Sequence, residues 1–265
     1  MATAAIEGEN RSLSIGRVFN RAFSVIGSNP LLIFGVALLI GAVPRFGAGY
    51  AIRGIGLDML KTGSTAGLIV VGTLTYLLAI VCQALVQAVV VDVTLVDREG
   101  RRAAFAESVG RALTRSIPLL AVSLLFTIGL LIGFALLIVP FFFLATRWAV
   151  VPAVVIAERP GVIGAFRRSA ELTAGARPKV LGLGILTVIV AWLFAAVGGT
   201  IGVATVGFQG VAAGQLSTNP IALFVNVIAA TVSGAFWASM QGSLYVELSD
   251  WKDGPTTNRL AEIFR

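Results

Sequence analysis

Long apolar runs alternate with short basic segments along the whole chain. A helix that crosses a membrane needs about 20 mostly apolar residues, and the apolar runs predict six such spans. Pro44 and Arg45 interrupt the first span, and we expect Arg45 to extend its side chain toward the outer surface. The third and fourth spans have almost no linker, which predicts a tight hairpin with Pro140 at the start of the return helix. The predicted spans are 30–50, 67–91, 117–138, 140–157, 180–204 and 221–246.

A short segment that carries an arginine precedes each odd-numbered span. In each segment an aliphatic residue lies six positions before the arginine, and the matching arginines are Arg21, Arg115 and Arg168. Apolar residues at helical spacing opposite arginine predict an amphipathic helix at the membrane surface. Repetition of this kind constrains the whole fold. We predict an all-α integral membrane protein with one membrane domain, 1–265, built from three units of an amphipathic interfacial helix plus a transmembrane hairpin. The predicted units span about 13–97, 107–158 and 161–250.

Composition supports a membrane protein and excludes a soluble domain. The chain has 265 residues, of which 57% are hydrophobic and 12% are charged. A soluble domain carries about 25% charged residues. Six spans leave no room in this length for a separate soluble catalytic domain.

The distribution of charge predicts the orientation. Sixteen of the twenty lysines and arginines lie in segments that share one side if the N-terminus is inside, whereas the predicted outer loop at 205–219 has no charge. Lysine and arginine concentrate in cytoplasmic loops, which predicts that both termini are cytoplasmic. The net charge of +7 comes from clusters beside apolar runs, a pattern that favours anionic lipid over nucleic acid. No cleaved signal peptide is expected.

Long polar side chains fall at similar depths in the even-numbered spans. Arg147 lies 11 positions before Glu158, or roughly 16 Å deep in a continuous helix, where a charge costs at least ~2.5 kcal/mol. Asp92 is the nearest acidic candidate to pair with Arg147. The cluster is interpreted either as a site for an anionic group or as a hydrogen-bonded knot that holds three helices together. The predicted midplane polar cluster comprises Gln83, Gln87, Asp92, Arg147 and Gln241.

The arginines of the interfacial helices form a second candidate site. One hypothesis is that they bind anionic lipid head groups. The alternative is that the helices cap the bundle and that arginine serves topology alone. The predicted lipid-facing arginines are Arg21, Arg115, Arg167 and Arg168.

Chemistry other than binding has little support in the sequence. The chain contains no histidine and a single cysteine, Cys82, so the commonest acid–base group and metal ligand is missing. We find no phosphate-binding loop, zinc-protease motif or nucleophile elbow. No catalytic residue, metal site or cofactor is predicted, and a non-enzymatic protein is favoured.

Short recognisable motifs lie at 13–23, 147–152, Glu158, 164–173, 244–248 and 252–254. Together they resemble those of the glycerophosphoryl diester phosphodiesterase membrane domain family. This resemblance implies a multi-pass protein of the bacterial inner membrane. The chain has no phosphodiesterase barrel and none of its catalytic motif, so the resemblance implies no hydrolase activity.

Three functions therefore remain open. The first is a structural, scaffolding or lipid-associated role, with membrane lipids, including anionic phospholipids, as partners. The second is a transporter or lipid-handling protein with a polar site around Arg147. The third is a membrane anchor that acts through its arginine helices, with a second copy or an unidentified membrane protein as partner.

Overall fold

Six helices of the protein are long and apolar enough to cross a membrane, which confirms the six predicted spans and indicates a multi-pass membrane protein. The computed structural model describes residues 13–101, 103–136, 138–212 and 219–254, and all regular structure in these ranges is helical. The observed spans are Pro30–Ile52, Thr65–Arg98, Ser116–Ala135, Val139–Ala157, Arg177–Val211 and Pro220–Asp253.

The helices follow one another with short connections. Three of them precede the odd-numbered spans: α1 (Ile15–Ser28), α5 (Phe105–Thr114) and α9 (Gly161–Leu172). The first hairpin contains α2 (Pro30–Val36), a π-helical segment (Ala37–Ala42), α3 (Val43–Lys61) and α4 (Thr65–Arg98). The second contains α6 (Ser116–Leu136), α7 (Ile138–Arg147) and α8 (Val151–Ala157), and the third contains α10 (Arg177–Ala212) and α11 (Pro220–Asp253).

Three spanning helices are longer than the membrane requires. α4, α10 and α11 contain 34, 36 and 34 residues, or roughly 50 Å each at ~1.5 Å per residue, against about 30 Å of hydrocarbon. α10 also continues to Ala212, where the sequence predicts a loop from residue 205, and the helix is interrupted at Gly207, whose φ is 70°. Residues 213–218 of that predicted loop lie outside the described residues.

The first span remains helical through Pro44. Proline lacks an N–H and clashes with the carbonyl four residues earlier. The backbone before it widens into the π-helical segment, in which the Val43 N–H bonds to the Leu38 carbonyl. The helix resumes at Val43 and continues past Arg45, so the interruption in sequence becomes a local change in helix geometry.

The fourth span is broken, which the sequence analysis did not predict. α7 ends at Arg147, a turn occupies 148–150, and α8 begins at Val151 with Pro152 in its first turn. The predicted depth of Arg147 assumed a continuous helix to Glu158 and is wrong in that assumption. Proline at the second helical position fits a new helix start, because the N–H it lacks would have no intrahelical partner there.

The densest packing lies at the end of the bundle where α1, α5 and α9 meet the C-terminal ends of α4, α8 and α11. We call this the basic end. α8 is buried along six consecutive residues, 151–156, and α4 and α11 contribute continuous buried runs at the same end. The inner faces of α1, α5 and α9 are buried against these helices. The three short helices are therefore packed components of the core.

Candidate functional site

The three repeated arginines point at the C-terminal ends of the even-numbered spans. Arg21 Nη2 lies 3.7 Å from Asp250 of α11, and Arg115 donates to the Ile156 carbonyl in the last turn of α8. Arg168 donates to Glu158 at 2.8 Å and also to Asp253. These contacts connect the short helices to the bundle, and each cation lies where a helix C-terminus carries partial negative charge.

Electrostatic shifts at the basic end follow from these partners. Burial lowers the pKa of the Arg168 guanidinium, but its hydrogen bonds with Glu158 and Asp253 outweigh burial, so its pKa lies above the usual range. Burial lowers the pKa of Arg115, and the neighbouring charge of Arg159 lowers it further. The network is consistent with cations held mainly by protein acceptors.

Arg167 differs from the other predicted lipid-facing arginines. Its side chain is 83% exposed, and its contact with Glu171 is long, at 3.8 Å between Nε and Oε1. An exposed pair of this kind contributes little to stability. Of the four arginines Arg167 has the most freedom to meet a lipid surface, and lipid binding at all four stays a prediction.

Asp92 pairs with Arg111 and not with Arg147. Arg111 donates from Nε and Nη2 to the two Asp92 carboxylate oxygens at 2.8 and 2.7 Å. The Asp92 side chain is only 9% exposed. Its hydrogen bond to Arg111 raises the pKa of that guanidinium. This bidentate pair connects α5 to α4 and explains how a carboxylate is accommodated in the core.

The three predicted glutamines fall in different environments. Gln87 is buried at 8% exposure among the packed residues of α4, whereas Gln83 and Gln241 line two separate cavities. The side-chain oxygen of Gln241 is buried without a hydrogen-bond partner among the described residues. The predicted cluster is thus divided between packed core and open space.

Ser169 of α9 stabilises the broken fourth span. Its hydroxyl donates to the Arg147 carbonyl at 3.0 Å and accepts from the Val150 N–H at 3.4 Å. Trp148 fills the same break and packs edge-on against Phe166 of α9, with 5.0 Å between ring centroids. The backbone groups that the break exposes are satisfied by a helix the sequence places at the surface.

A cavity of about 510 Å³ lies between the second and third hairpins. We call it the chain cavity. Its walls are almost wholly apolar, and its polar side chains are Thr146, Thr187 and Gln241. The two threonine hydroxyls bond to carbonyls of their own helices, which leaves the Gln241 amide as the available polar group. Other residues of the cavity wall include Phe142 of α7, Gly184 of α10, and Trp237 and Leu244 of α11.

Two arginines lie near the chain cavity at the side nearer the basic end, outside its wall, next to or one helical turn from residues that line it. Arg177 lies three residues before Val180, a wall residue on the same helix face, and its guanidinium carbon is 5.1 Å from the Phe143 ring centroid. Arg147 lies four residues after Phe143, hence one turn further along that face of α7. Within the described residues neither arginine has an ion-pair partner, and the buried Nε of Arg177 has no hydrogen-bond acceptor.

A second cavity, of about 490 Å³, lies between the first and third hairpins. We call it the polar cavity. Arg45, Gln83, Asn226 and Ser233 contribute polar side chains to its wall. Trp237 of α11 lines both cavities, so the apolar and the polar cavity share this residue.

Sequence reasoning missed Arg177 and the Asp92–Arg111 pair. In the sequence, Arg177 contributes only to the prediction of orientation, although it lies at the start of a span with no acidic residue three or four positions away. Asp92 and Arg111 lie 8 and 11 residues from Gly100, which makes the turn after α4 with φ of 70°. Similar distances from a tight turn bring side chains of antiparallel helices together, and this spacing could have revealed the pair.

Comparisons with protein-family models, curated proteins and solved structures return no match for this chain. The resemblance to the membrane-domain family therefore stays a prediction. Among the described residues, no group of three or more histidine, cysteine, aspartate or glutamate side chains is placed to hold a metal ion.

Proposed function

We propose that the protein binds an anionic membrane lipid between its second and third hairpins, in a non-enzymatic, lipid-associated role. The carrying observation is an apolar cavity with two arginines close to its wall, neither of which has an acidic partner among the described residues. A lipid would place an acyl chain in the chain cavity and its phosphate beside Arg147 and Arg177.

The chain cavity suits an acyl chain in size and chemistry. Its volume of about 510 Å³ falls within the roughly 300–1,000 Å³ usual for small-molecule sites. Several wall residues are also exposed on the outer surface of the bundle, including Phe142 and Ile189. A chain could thus enter sideways from the bilayer. The unpartnered oxygen of Gln241 would accept a hydrogen bond from a hydroxyl or amide of the lipid.

The two arginines suit the phosphate. A charge within the membrane is costly and normally faces protein, water or an anion, and guanidinium groups bind phosphate through paired hydrogen bonds. Phe143 holds Arg177 in place by contact with its ring. An anionic head group would offset charges that the described part of the protein leaves uncompensated.

The proposal also covers the repeat organisation of the bundle and its orientation in the membrane. We infer that three related units build the bundle, each with an amphipathic helix that caps an even-numbered span at the basic end. The basic end would face the cytoplasm of a bacterial cell, with the bundle in the inner membrane, and membership of the membrane-domain family is part of this proposal.

The test is lipid retention measured by native mass spectrometry after mild detergent purification. Gly184→Leu would fill the chain cavity, because a Cβ at Gly184 meets no atom within 4 Å. We expect its lipid occupancy to fall about tenfold, which corresponds to ~1.4 kcal/mol of binding free energy.

Gly199→Leu is the matched control. It makes the same change on the same helix, also with open space around the new Cβ, and Gly199 does not line the chain cavity. We expect this variant to retain lipid as the unmodified protein does. Equal retention by both variants, or equal loss, would contradict the proposal.

A further inference from the structure

The polar cavity is a second space that the proposed lipid site does not use. Arg45 and Phe46 come from α3, Gln83 from α4, and Asn226 and Ser233 from α11. Arg45 lies 15 residues into the first span, roughly 20 Å from Pro30. The cavity is therefore distant from the basic end and from its ion pairs.

Its wall carries positive charge without compensation. None of the described residues that line the polar cavity is acidic, and Arg45 makes no ion pair or hydrogen bond within the described part of the chain. The Ser233 hydroxyl oxygen is buried and has no partner there. A guanidinium, two side-chain amides and a free hydroxyl together form a set of donors, which suits an anion.

The backbone directs Arg45 toward this space. The π-helical segment ends two residues before Pro44, and one added residue rotates all later side chains by about 100° about the helix axis. Helical segments of this kind occur frequently at functional sites. A regular helix through this segment would turn Arg45 to a different side of the bundle.

We propose that the polar cavity binds a phosphate or carboxylate group, with Arg45 as its principal contact and Gln83, Asn226 and Ser233 as additional donors. The anion belongs either to a lipid head group or to a water-soluble molecule. The site shares Trp237 with the chain cavity but draws its polar contacts from other residues, so the inference does not depend on the proposed lipid site.

The test uses the fluorescence of the purified full-length protein, because Trp192 and Trp237 both line the polar cavity. Inorganic phosphate, a short-chain phosphatidic acid and the matching uncharged diacylglycerol are titrated separately. We expect a saturable change with at least one of the anionic probes and none with diacylglycerol. Arg45→Gln should weaken that binding about 10- to 100-fold, and Arg45→Lys should weaken it less.

Arg101→Gln is the control, since this exposed arginine lies at the basic end, and its response should equal that of the unmodified protein. A phosphate response identifies a soluble anion, and a response to phosphatidic acid alone identifies a lipid; both support the inference. Asn226→Ala gives a second weakened variant if Arg45→Gln does not fold. Absence of any anionic response, or a response unchanged in the Arg45 and Asn226 variants, would overturn it. Gly184→Leu should respond normally, so failure of the lipid proposal is separable from failure here.

Discussion

Arginine has opposite roles beside the carboxylates of the basic end and beside the two cavities. At the basic end, Arg111 and Arg168 donate to carboxylates on neighbouring helices. Beside the cavities, Arg45 lines a wall with no acid among its described residues, and Arg147 and Arg177 lie near a second cavity without an ion pair to a described residue. The same side chain is a structural connector in one region and an open cation in the other.

Packing is also denser at the basic end than around the two cavities. Residues 151–156 of α8 are fully enclosed at the basic end, whereas the two cavities of about 510 and 490 Å³ separate the hairpins further along the bundle. Close packing and paired charges indicate a region that maintains the fold. Open space beside unpaired charge indicates a region that receives something from outside the chain. Substitutions at the basic end should therefore reduce stability, whereas substitutions beside the cavities should reduce binding.

The largest loss of stability is expected at the Asp92–Arg111 pair. Arg111→Gln leaves the buried Asp92 carboxylate without its bidentate partner, and removing one member of such a pair costs about 3–5 kcal/mol. Because the Arg111 side chain is 30% exposed, we expect a value near the lower limit. Chemical unfolding in detergent measures the loss.

Arg101→Gln is the control for that loss, because Arg101 pairs with Glu99 at 66% and 61% side-chain exposure. Exposed pairs of this kind contribute about 0–1 kcal/mol. Similar losses in both variants would remove the distinction between buried and exposed pairs at the basic end.

A smaller loss is expected where α4 and α11 approach most closely. A Cβ on Gly242 would lie 2.8 Å from Thr94 Oγ1 and 3.2 Å from Thr94 Cβ, so Gly242→Ala should destabilise by about 1–3 kcal/mol through overpacking. Gly199→Ala, which meets no atom within 4 Å in α10, should be neutral or slightly stabilising. Thermal unfolding measures the stability of both variants. Equal unfolding temperatures would contradict close packing at Gly242.

Ser169→Ala should cost about 1–2 kcal/mol, because the Val150 N–H loses its acceptor and the Arg147 carbonyl loses a donor. Thr127→Ala is a suitable reference, since the Thr127 hydroxyl bonds only to the Ser123 carbonyl of its own helix. Faster amide hydrogen exchange at 148–151 in Ser169→Ala alone would support the assigned role. Unchanged exchange would show that α9 does not hold the break.

The smallest effects on stability are expected for the open cations. Arg147→Gln and Arg177→Gln remove no ion pair to a described residue, so each should change the free energy of unfolding by less than about 1 kcal/mol without lipid. Chemical unfolding in lipid-free detergent is the measurement. A loss of unfolding free energy as large as that of Arg111→Gln would show that these arginines stabilise the fold and would contradict this prediction.

The sequence predicts the number and order of the spans because apolar length alone decides whether a helix can cross a membrane. It does not predict the break after Arg147, since that break depends on Ser169 of another helix. Pro152 is a local indication of a new helix start, but hydropathy continues through it. The sequence also does not predict the π-helical segment before Pro44, because hydropathy continues through it as well.

The candidate site was predicted in part. Arg147 and Gln241 were selected by their depth; Gln241 lines the chain cavity, and Arg147 is adjacent in sequence to its wall residue Thr146. Their partners could not be predicted, because a cavity between hairpins depends on how helices far apart in sequence pack. Arg177 illustrates this limit: its contact with Phe143 joins α10 to α7, and no spacing within either helix encodes it.

The central claim is that the open arginines bind an anionic lipid, and lipid-dependent stability tests it most directly. A ligand that binds only the folded state raises the unfolding temperature. We expect phosphatidylglycerol to raise that temperature more than phosphatidylcholine of the same chains, and the difference to vanish in Arg147→Gln/Arg177→Gln. The control, Arg101→Gln/Lys252→Gln, removes the same charge from exposed basic-end positions and should retain the difference. An equal loss in both double variants, or a loss in neither, would contradict the account.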